Sequence, residues 1–123
     1  MGSKIVAFDL DDVLCYRNTD KVGAEKYREC KPIPEMIGIA NACYDAGMTI
    51  VVYTARGMCT FEGDVAKIYS NLFELTTRQL EEWGVKYHQL IMGKAHYDLL
   101  IDDKAIDSLL INSIEDVKRR LAQ

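Results

Sequence analysis

Residues 4–12 read Lys-Ile-Val-Ala-Phe-Asp-Leu-Asp-Asp, an apolar run that ends abruptly in carboxylates. The residues between the lysine and the first aspartate are β-branched or apolar, which predicts a buried strand. Asp9 follows this strand directly, and Asp11 lies two residues further along the chain. Carboxylates are rarely buried without partners, so their position at the end of a buried strand indicates a functional loop.

The rest of the chain alternates between apolar runs and helical spacing. Apolar runs predict three further strands, over residues 48–53, 87–92 and 97–101. Helices are predicted from Pro34 to Gly47, from Val65 to Gly84, and over a short segment that begins at Ser113. Within the second of these, Thr76-Thr77-Arg78-Gln79 fits a capping box and predicts a break where a new helix begins. The order of elements predicts one α/β domain over residues 1–123, with a mostly parallel sheet and helices on both faces.

Composition narrows the class of protein. The chain has 123 residues, 49% of them apolar, and a net charge of −4. An acidic balance argues against general nucleic-acid binding, which needs a basic footprint. The apolar runs are far shorter than the roughly 20 residues that span a bilayer, and the chain begins almost directly with a strand, so we expect neither a membrane segment nor a signal peptide. The four cysteines form no C-x-x-C pair, which predicts scattered reduced thiols and a cytoplasmic location.

Polar side chains follow each predicted strand: Asp9 and Asp11, then Thr54, then Lys94, then Asp102 with Asp103. Ligands bind beyond the carboxyl ends of the strands in open α/β sheets, so we expect these groups to meet at one rim. Crowded carboxylates favour a divalent cation, and Mg²⁺ binds one or two carboxylates together with a phosphate oxygen. A lysine ammonium suits a phosphoryl oxygen, an aspartate can attack phosphorus, and a second aspartate can protonate the leaving oxygen and then activate water.

Four segments, taken in order, resemble the haloacid dehalogenase superfamily. Phe8-Asp9-Leu10-Asp11-Asp12-Val13 is similar to its first motif, D-x-D-x-[TV], and Tyr53-Thr54 to its second. Lys94 resembles the third motif, and Ile101-Asp102-Asp103 the acidic fourth. Three segments are more narrowly similar to small capless phosphatases associated with capsule and envelope sugar synthesis; these are residues 53–57, 82–87 and 92–106.

The resemblance implies a Rossmann-like three-layer fold with strand order 4-1-2-3 and no cap domain. It implies Asp9 as nucleophile, Asp11 as general acid and base, and Thr54, Ala55 and Lys94 as the phosphate-binding residues. The implied metal site holds Mg²⁺ on Asp9, Asp103 and the backbone carbonyl of Asp11. Asp102 stands where many members have glycine, and is expected to support the metal site or to pair with Lys94. Arg56 and Arg17 are candidate substrate contacts.

The expected function is therefore a Mg²⁺-dependent phosphomonoesterase acting on a small sugar phosphate or a related metabolite. Loops 14–32 and 57–64, or a neighbouring subunit in a homo-oligomer, are expected to cover the site. Two alternatives stay open at this point. One is a receiver-like signalling module, in which the acidic pair comes first and a lone phosphorylated aspartate follows. The other is a phosphate-binding protein without catalysis.

Overall fold

A computed structural model describes residues 3–123, so the first two residues of the predicted domain lie outside the described chain. In chain order the strands are β1 (Ile5–Phe8), β2 (Cys15–Tyr16), β3 (Lys31–Pro32), β4 (Thr49–Thr54) and β5 (Gln89–Met92). The helices are α1 (Glu25–Arg28), α2 (Pro34–Asp45), α3 (Val65–Glu82) and α4 (Ile114–Leu121), with a 3-10 turn at Ser108–Leu110.

The main sheet has three parallel strands in the order β1-β4-β5. Phe8 lies opposite Val52, and Thr54 lies opposite Met92, so the carboxyl ends of all three strands reach the same edge. Parallel neighbours need a crossover connection, which α2 provides between β1 and β4 and α3 provides between β4 and β5. The prediction of an α/β domain with a mostly parallel sheet is confirmed, and the arrangement is consistent with a Rossmann-like fold.

Helix boundaries follow the local signals in the sequence. Pro34 occupies the first position of α2, where its missing N–H costs nothing. Gly47 follows the end of α2 with a φ of +92°, and Gly84 follows the end of α3 with a φ of +71°. Both glycines adopt the left-handed conformation that ends many helices, as predicted.

The predicted break near Thr76 is wrong, because α3 runs unbroken from Val65 to Glu82. Asp64 caps the helix instead, and its carboxylate accepts the amide hydrogen of Lys67. The Thr76 hydroxyl donates to the carbonyl of Leu72 at 2.7 Å, a bond made inside a continuous helix. Ile68, Leu72 and Leu80 form one buried stripe along its length, and burying that stripe outweighs the local capping signal.

The predicted fourth strand over residues 97–101 does not form in the described structure. Leu99 is 76% exposed and Ile101 is 89% exposed. The expected order 4-1-2-3 is therefore found only in its 1-2-3 part, and β1 pairs on one side alone. An apolar run is typical of a strand. A strand forms only where a neighbouring strand provides hydrogen-bond partners, and the composition of the run does not show whether such a neighbour exists.

Residues 14–32, expected as a long loop, contain β2, α1 and β3. β2 and β3 pair antiparallel, and the Ile33 amide donates to the Leu14 carbonyl, which joins this segment to the loop after β1. Tyr27 on α1 is buried. The segment is thus packed beside the carboxyl edge of the sheet. No helix among residues 3–123 has the length and apolar character that crossing a membrane requires.

Candidate active site

The two aspartates after β1 are held by a tight turn around a buried leucine. Leu10 is fully buried, and its carbonyl accepts the Leu14 amide at 2.8 Å. Asp12 turns the chain with a φ of +70°. The Asp9 carboxylate accepts the Leu10 amide at 2.8 Å, which fixes its orientation. Asp9 and Asp11 consequently line the same cavity while the residue between them is buried in the core.

Asp11 forms a bidentate ion pair with Arg56. Arg56 Nε donates to Asp11 Oδ2 at 3.2 Å, and Nη2 donates to Asp11 Oδ1 at 2.8 Å. The Arg56 side chain is fully buried, whereas that of Asp11 is 29% exposed. Paired bonds of this geometry fix both partners in orientation as well as in distance. Both Asp11 oxygens are therefore bound by the guanidinium, while part of the carboxylate stays exposed at the cavity.

The remaining donors of Arg56 are also used. Nη1 donates to Gln79 Oε1 at 2.6 Å and to Thr76 Oγ1 at 3.2 Å, both on α3. The Tyr27 ring centroid lies 4.8 Å from Arg56 Cζ. Burial works to lower the pKa of Arg56, but its hydrogen-bonded ion pair with Asp11 outweighs this and leaves the pKa above its usual value. Arg56 thus stays a cation that ties the acidic loop to α3.

Gly57 allows the chain to turn immediately after this arginine. Its φ is +84°, and a Cβ added there would lie 2.6 Å from Leu72 Cδ1. Its amide donates to the Tyr27 hydroxyl at 3.0 Å. A side chain at this position would meet both backbone strain and a clash. Glycine at this position avoids both.

Thr54 and Lys94 complete the edge of the sheet. Thr54 is buried, and its hydroxyl oxygen accepts the Arg56 amide at 3.0 Å. The hydroxyl hydrogen has no acceptor among residues 3–123, so it can donate to a ligand. The Lys94 amide donates to the Thr54 carbonyl at 3.1 Å, which brings the turn after β5 against the end of β4. The neighbouring Ala55 lines the cavity as well.

The Lys94 ammonium lies beside the predicted nucleophile. Its Nζ is 3.4 Å from Asp9 Oδ2 and 5.4 Å from the Tyr97 ring centroid. Burial works to lower the pKa of Lys94, but the contacts with Tyr97 and Asp9 outweigh it, and the pKa lies above its usual value. Lys94 is accordingly charged at neutral pH and able to attract a phosphate.

A cavity of about 410 Å³ opens among these residues. This volume falls within the roughly 300–1,000 Å³ of typical small-molecule sites. Its lining includes the five residues that were predicted to carry out the reaction or to bind phosphate: Asp9, Asp11, Thr54, Ala55 and Lys94. Arg56 lines it too, as do Arg17 and Lys26 from residues 14–32.

Asp102 and Asp103, in contrast, do not line this cavity, so their predicted place at the site stays a prediction. The Asp103 side chain is 80% exposed and pairs with Lys104 at 3.3 Å, while its carbonyl accepts from Arg120. Asp102 accepts the Lys104 amide at 3.1 Å, which lowers the pKa of Asp102. It does not pair with Lys94. The reason is the missing fourth strand, which was expected to carry both carboxylates to the rim.

The predicted magnesium ligands therefore do not fit as a set. In the part of the chain that the structure describes, one group of three acidic or thiol side chains comes together, and it consists of Asp11, Cys15 and Cys30. A cation already lies there, because Arg56 Nη2 is 3.7 Å from Cys15 Sγ. The hydrogen bond with Cys30, together with burial, raises the pKa of Cys15, so this thiol stays protonated. This group serves the Arg56 network rather than an open metal site.

Arg56 was expected to contact substrate. It lines the cavity, but its side chain is fully buried and its guanidinium is bound by Asp11 and by α3, so a substrate contact stays a prediction. Sequence reasoning also missed the residues that enclose it, namely Tyr27, Thr76 and Gln79. A signal for two of them existed. Thr76 and Gln79 are three apart, on the helix face that also carries Leu72 and Leu80, so polar groups interrupt an apolar stripe. A buried polar group needs a partner, and here the partner is a guanidinium.

The whole chain is similar to a protein of known structure. A crystal structure of a structural genomics target from Vibrio cholerae is 30% identical in sequence, and the match covers 97% of this chain and 98% of that chain, with a TM-score of 0.80. No protein-family model and no curated protein matched the chain.

Proposed function

This chain belongs to the same family as the Vibrio cholerae protein, and we propose that it hydrolyses phosphate monoesters through an aspartyl-phosphate on Asp9. The observation that carries the proposal is that three strand ends contribute Asp9, Asp11, Thr54 and Lys94 to one cavity. We further propose that the chain is a capless member of the haloacid dehalogenase superfamily that acts on a small sugar phosphate or a related metabolite. The order of the four motifs supports this.

The proposed reaction has two steps. In the first, an Asp9 oxygen bonds to phosphorus as the ester P–O bond breaks, and the departing alcohol oxygen takes a proton from Asp11. In the second, water transfers a proton to Asp11 and attacks phosphorus, which releases inorganic phosphate and restores the Asp9 carboxylate. Lys94 and the Thr54 hydroxyl supply positive charge and a hydrogen bond to the phosphoryl oxygens. Arg56 holds Asp11 in place for both proton transfers.

Magnesium dependence is a separate part of the proposal. It rests on the acidic motifs, since the described arrangement keeps Asp103 apart from Asp9. Bound Mg²⁺ would neutralise charge on the phosphoryl oxygens. The proposed roles of Asp9, Asp11, Thr54 and Lys94 do not depend on whether Asp103 approaches the cavity.

We also propose that residues 97–101 pair along the free edge of β1, completing the order 4-1-2-3. Ile5 on that edge is 69% exposed, and Leu99 and Ile101 are exposed too. An open strand edge and an exposed apolar segment each remain costly until they are covered. Pairing of the two would also carry Asp103 toward Asp9.

Amide hydrogen exchange tests this pairing. We expect the amides of residues 97–101 to exchange at least about tenfold more slowly when Mg²⁺ and a phosphate analogue such as beryllofluoride are added, because paired amides exchange only on opening. The amides of the loop 17–22 provide a reference outside the sheet. Equal exchange of residues 97–101 in both conditions would contradict the pairing.

Phosphate release tests the enzyme itself. We expect the purified protein to release phosphate from p-nitrophenyl phosphate and from members of a phosphometabolite panel in the presence of Mg²⁺, and to lose this activity in EDTA. Release that EDTA does not reduce would overturn the metal part alone. If no compound releases phosphate, the phosphatase proposal fails, and a receiver-like or purely phosphate-binding protein is the better description.

A further inference from the structure

We infer that Arg17 and Lys26 form a second anion site in the cavity, and that the substrate is a phosphate ester carrying another anionic group, either a carboxylate or a second phosphate. The inference rests on the proposed function for the identity of the reacting phosphate. It concerns the part of the substrate that does not react.

Some of the charged side chains that line the cavity form ion pairs, and others do not. Lys94 pairs with Asp9, and Arg56 pairs with Asp11. Arg17 and Lys26 have no carboxylate within 4.0 Å among residues 3–123, nor does either side chain form a hydrogen bond there. Asp12, which is exposed, is the other charged residue of the lining. Two cations are thus left facing the cavity against one solvated carboxylate.

Two other basic residues on the same segment have carboxylate partners. Lys21 pairs with Glu29 at 2.6 Å, and Arg28 pairs with Glu25 at 3.3 Å. Neither of these two basic residues lines the cavity. Lys31 on β3 is exposed, does not line the cavity and forms no ion pair among residues 3–123, so what distinguishes Arg17 and Lys26 is that they face the cavity without a partner. A missing protein partner at a concave surface is what a site for a ligand anion requires.

Lys26 is also held in a defined position. It is partly buried, and its Nζ lies 5.0 Å from the centroid of the Tyr27 ring. That ring is fixed in turn, because it lies against Arg56 and its hydroxyl accepts the Gly57 amide. A cation over an aromatic face keeps part of its stem in contact with the protein while its ammonium stays free to bind.

The anion at this site is distinct from the reacting phosphate. A phosphorus atom under attack must contact Asp9, and the cation within reach of Asp9 is Lys94. Arg17 and Lys26 belong to β2–α1–β3 and its connections, and neither pairs with the Asp9 or Asp11 carboxylate. A substrate that satisfies both groups of cations has its second negative charge away from the ester.

Three matched ligands test this inference. Glucose 6-phosphate has no second anion, 6-phosphogluconate adds a carboxylate, and glucose 1,6-bisphosphate adds a phosphate. Calorimetry on the full-length Asp9→Asn variant with Mg²⁺ measures binding without turnover, and kcat/KM on the unmodified protein measures catalysis. We expect the two ligands that carry a second anionic group to bind at least about tenfold more tightly than glucose 6-phosphate. Charge-assisted hydrogen bonds to that group would give a difference of this size. A preference for one of the two identifies the anion.

The variants Arg17→Gln and Lys26→Met should reduce this preference to about threefold or less. Lys118→Met, which removes the same charge from exposed α4, should leave the preference as it is. Equal affinity for all three ligands, or equal weakening of all three in the variants, would overturn the second anion site. Since binding is measured without turnover, a ligand preference without phosphate release would count against the phosphatase proposal and not against this site.

Discussion

Replacing Asp9 with asparagine is expected to lower kcat/KM for p-nitrophenyl phosphate by about three orders of magnitude or more, since an amide cannot replace the carboxylate as nucleophile. The fold should survive the change. The asparagine carbonyl can still accept the Leu10 amide, and the other described contact of Asp9 is the ion pair with Lys94. Steady-state phosphate release at saturating Mg²⁺, with a thermal melt to verify folding, measures the effect.

The matched control is Asp20→Asn, which removes the same charge from an exposed loop residue. It should change kcat/KM by less than about twofold, because exposed charges are screened. If Asp9→Asn retained a tenth or more of the activity, Asp9 would not be the nucleophile. If the unmodified protein bound phosphate and never released it from an ester, and the variant bound phosphate equally well, the protein would be a binding module.

Replacing Arg56 with methionine should destabilise the protein by about 2–3 kcal/mol, measured as the free energy of unfolding in urea. The loss leaves Asp11 without its cation and leaves the Gln79 and Thr76 oxygens without a donor. Removing one partner of a buried ion pair typically costs about 3–5 kcal/mol, and the partial exposure of Asp11 puts this case below that range. The same variant should lower kcat, because Asp11 is no longer held for proton transfer.

The variant Arg56→Lys separates the contribution of the positive charge from that of the bidentate guanidinium geometry. It keeps the positive charge but cannot form both bonds to Asp11, so we expect it to recover less than half of the lost stability. Arg78→Met on the exposed side of α3 breaks a pair with Glu74 at 2.9 Å and should cost less than about 0.5 kcal/mol. In a double-mutant cycle, Arg56→Met with Asp11→Asn should cost clearly less than the sum of the two single changes. Additive losses would show that the pair contributes nothing of its own.

Local signals predicted much of the fold. The apolar runs at residues 48–53 and 87–92 became β4 and β5 within a residue or two, and the run before Asp9 became β1. Pro34, Gly47 and Gly84 marked helix ends correctly, because their backbone preferences act within a single turn. The convergence of Asp9, Thr54 and Lys94 followed from the general rule that parallel strands bring their carboxyl ends to one edge.

Where partners are distant along the chain, the local signals misled. Thr76-Thr77-Arg78-Gln79 matches a capping box, but α3 continues through it because its apolar stripe is buried along its length. Thr76 and Gln79 bind Arg56, which lies about 20 residues earlier in the chain. Residues 97–101 have the composition of a strand and remain exposed, since no described edge pairs with them. No local signal shows that the Arg56 guanidinium binds Asp11, Thr76 and Gln79, because all three are distant from it along the chain.

By itself, the sequence predicted the three parallel strands, the ends of α2 and α3 at their glycines, and the polar side chains that follow the strands, because these depend on backbone preference and on apolar periodicity over a few residues. Only the tertiary structure decided which charges are paired. It placed Arg56 under Asp11 and Lys94 beside Asp9, and it left Arg17 and Lys26 facing the cavity unpaired. Ion pairing depends on distances of a few ångströms between residues as much as 85 positions apart (94 − 9 for Lys94 and Asp9), and such distances arise only once the chain has packed.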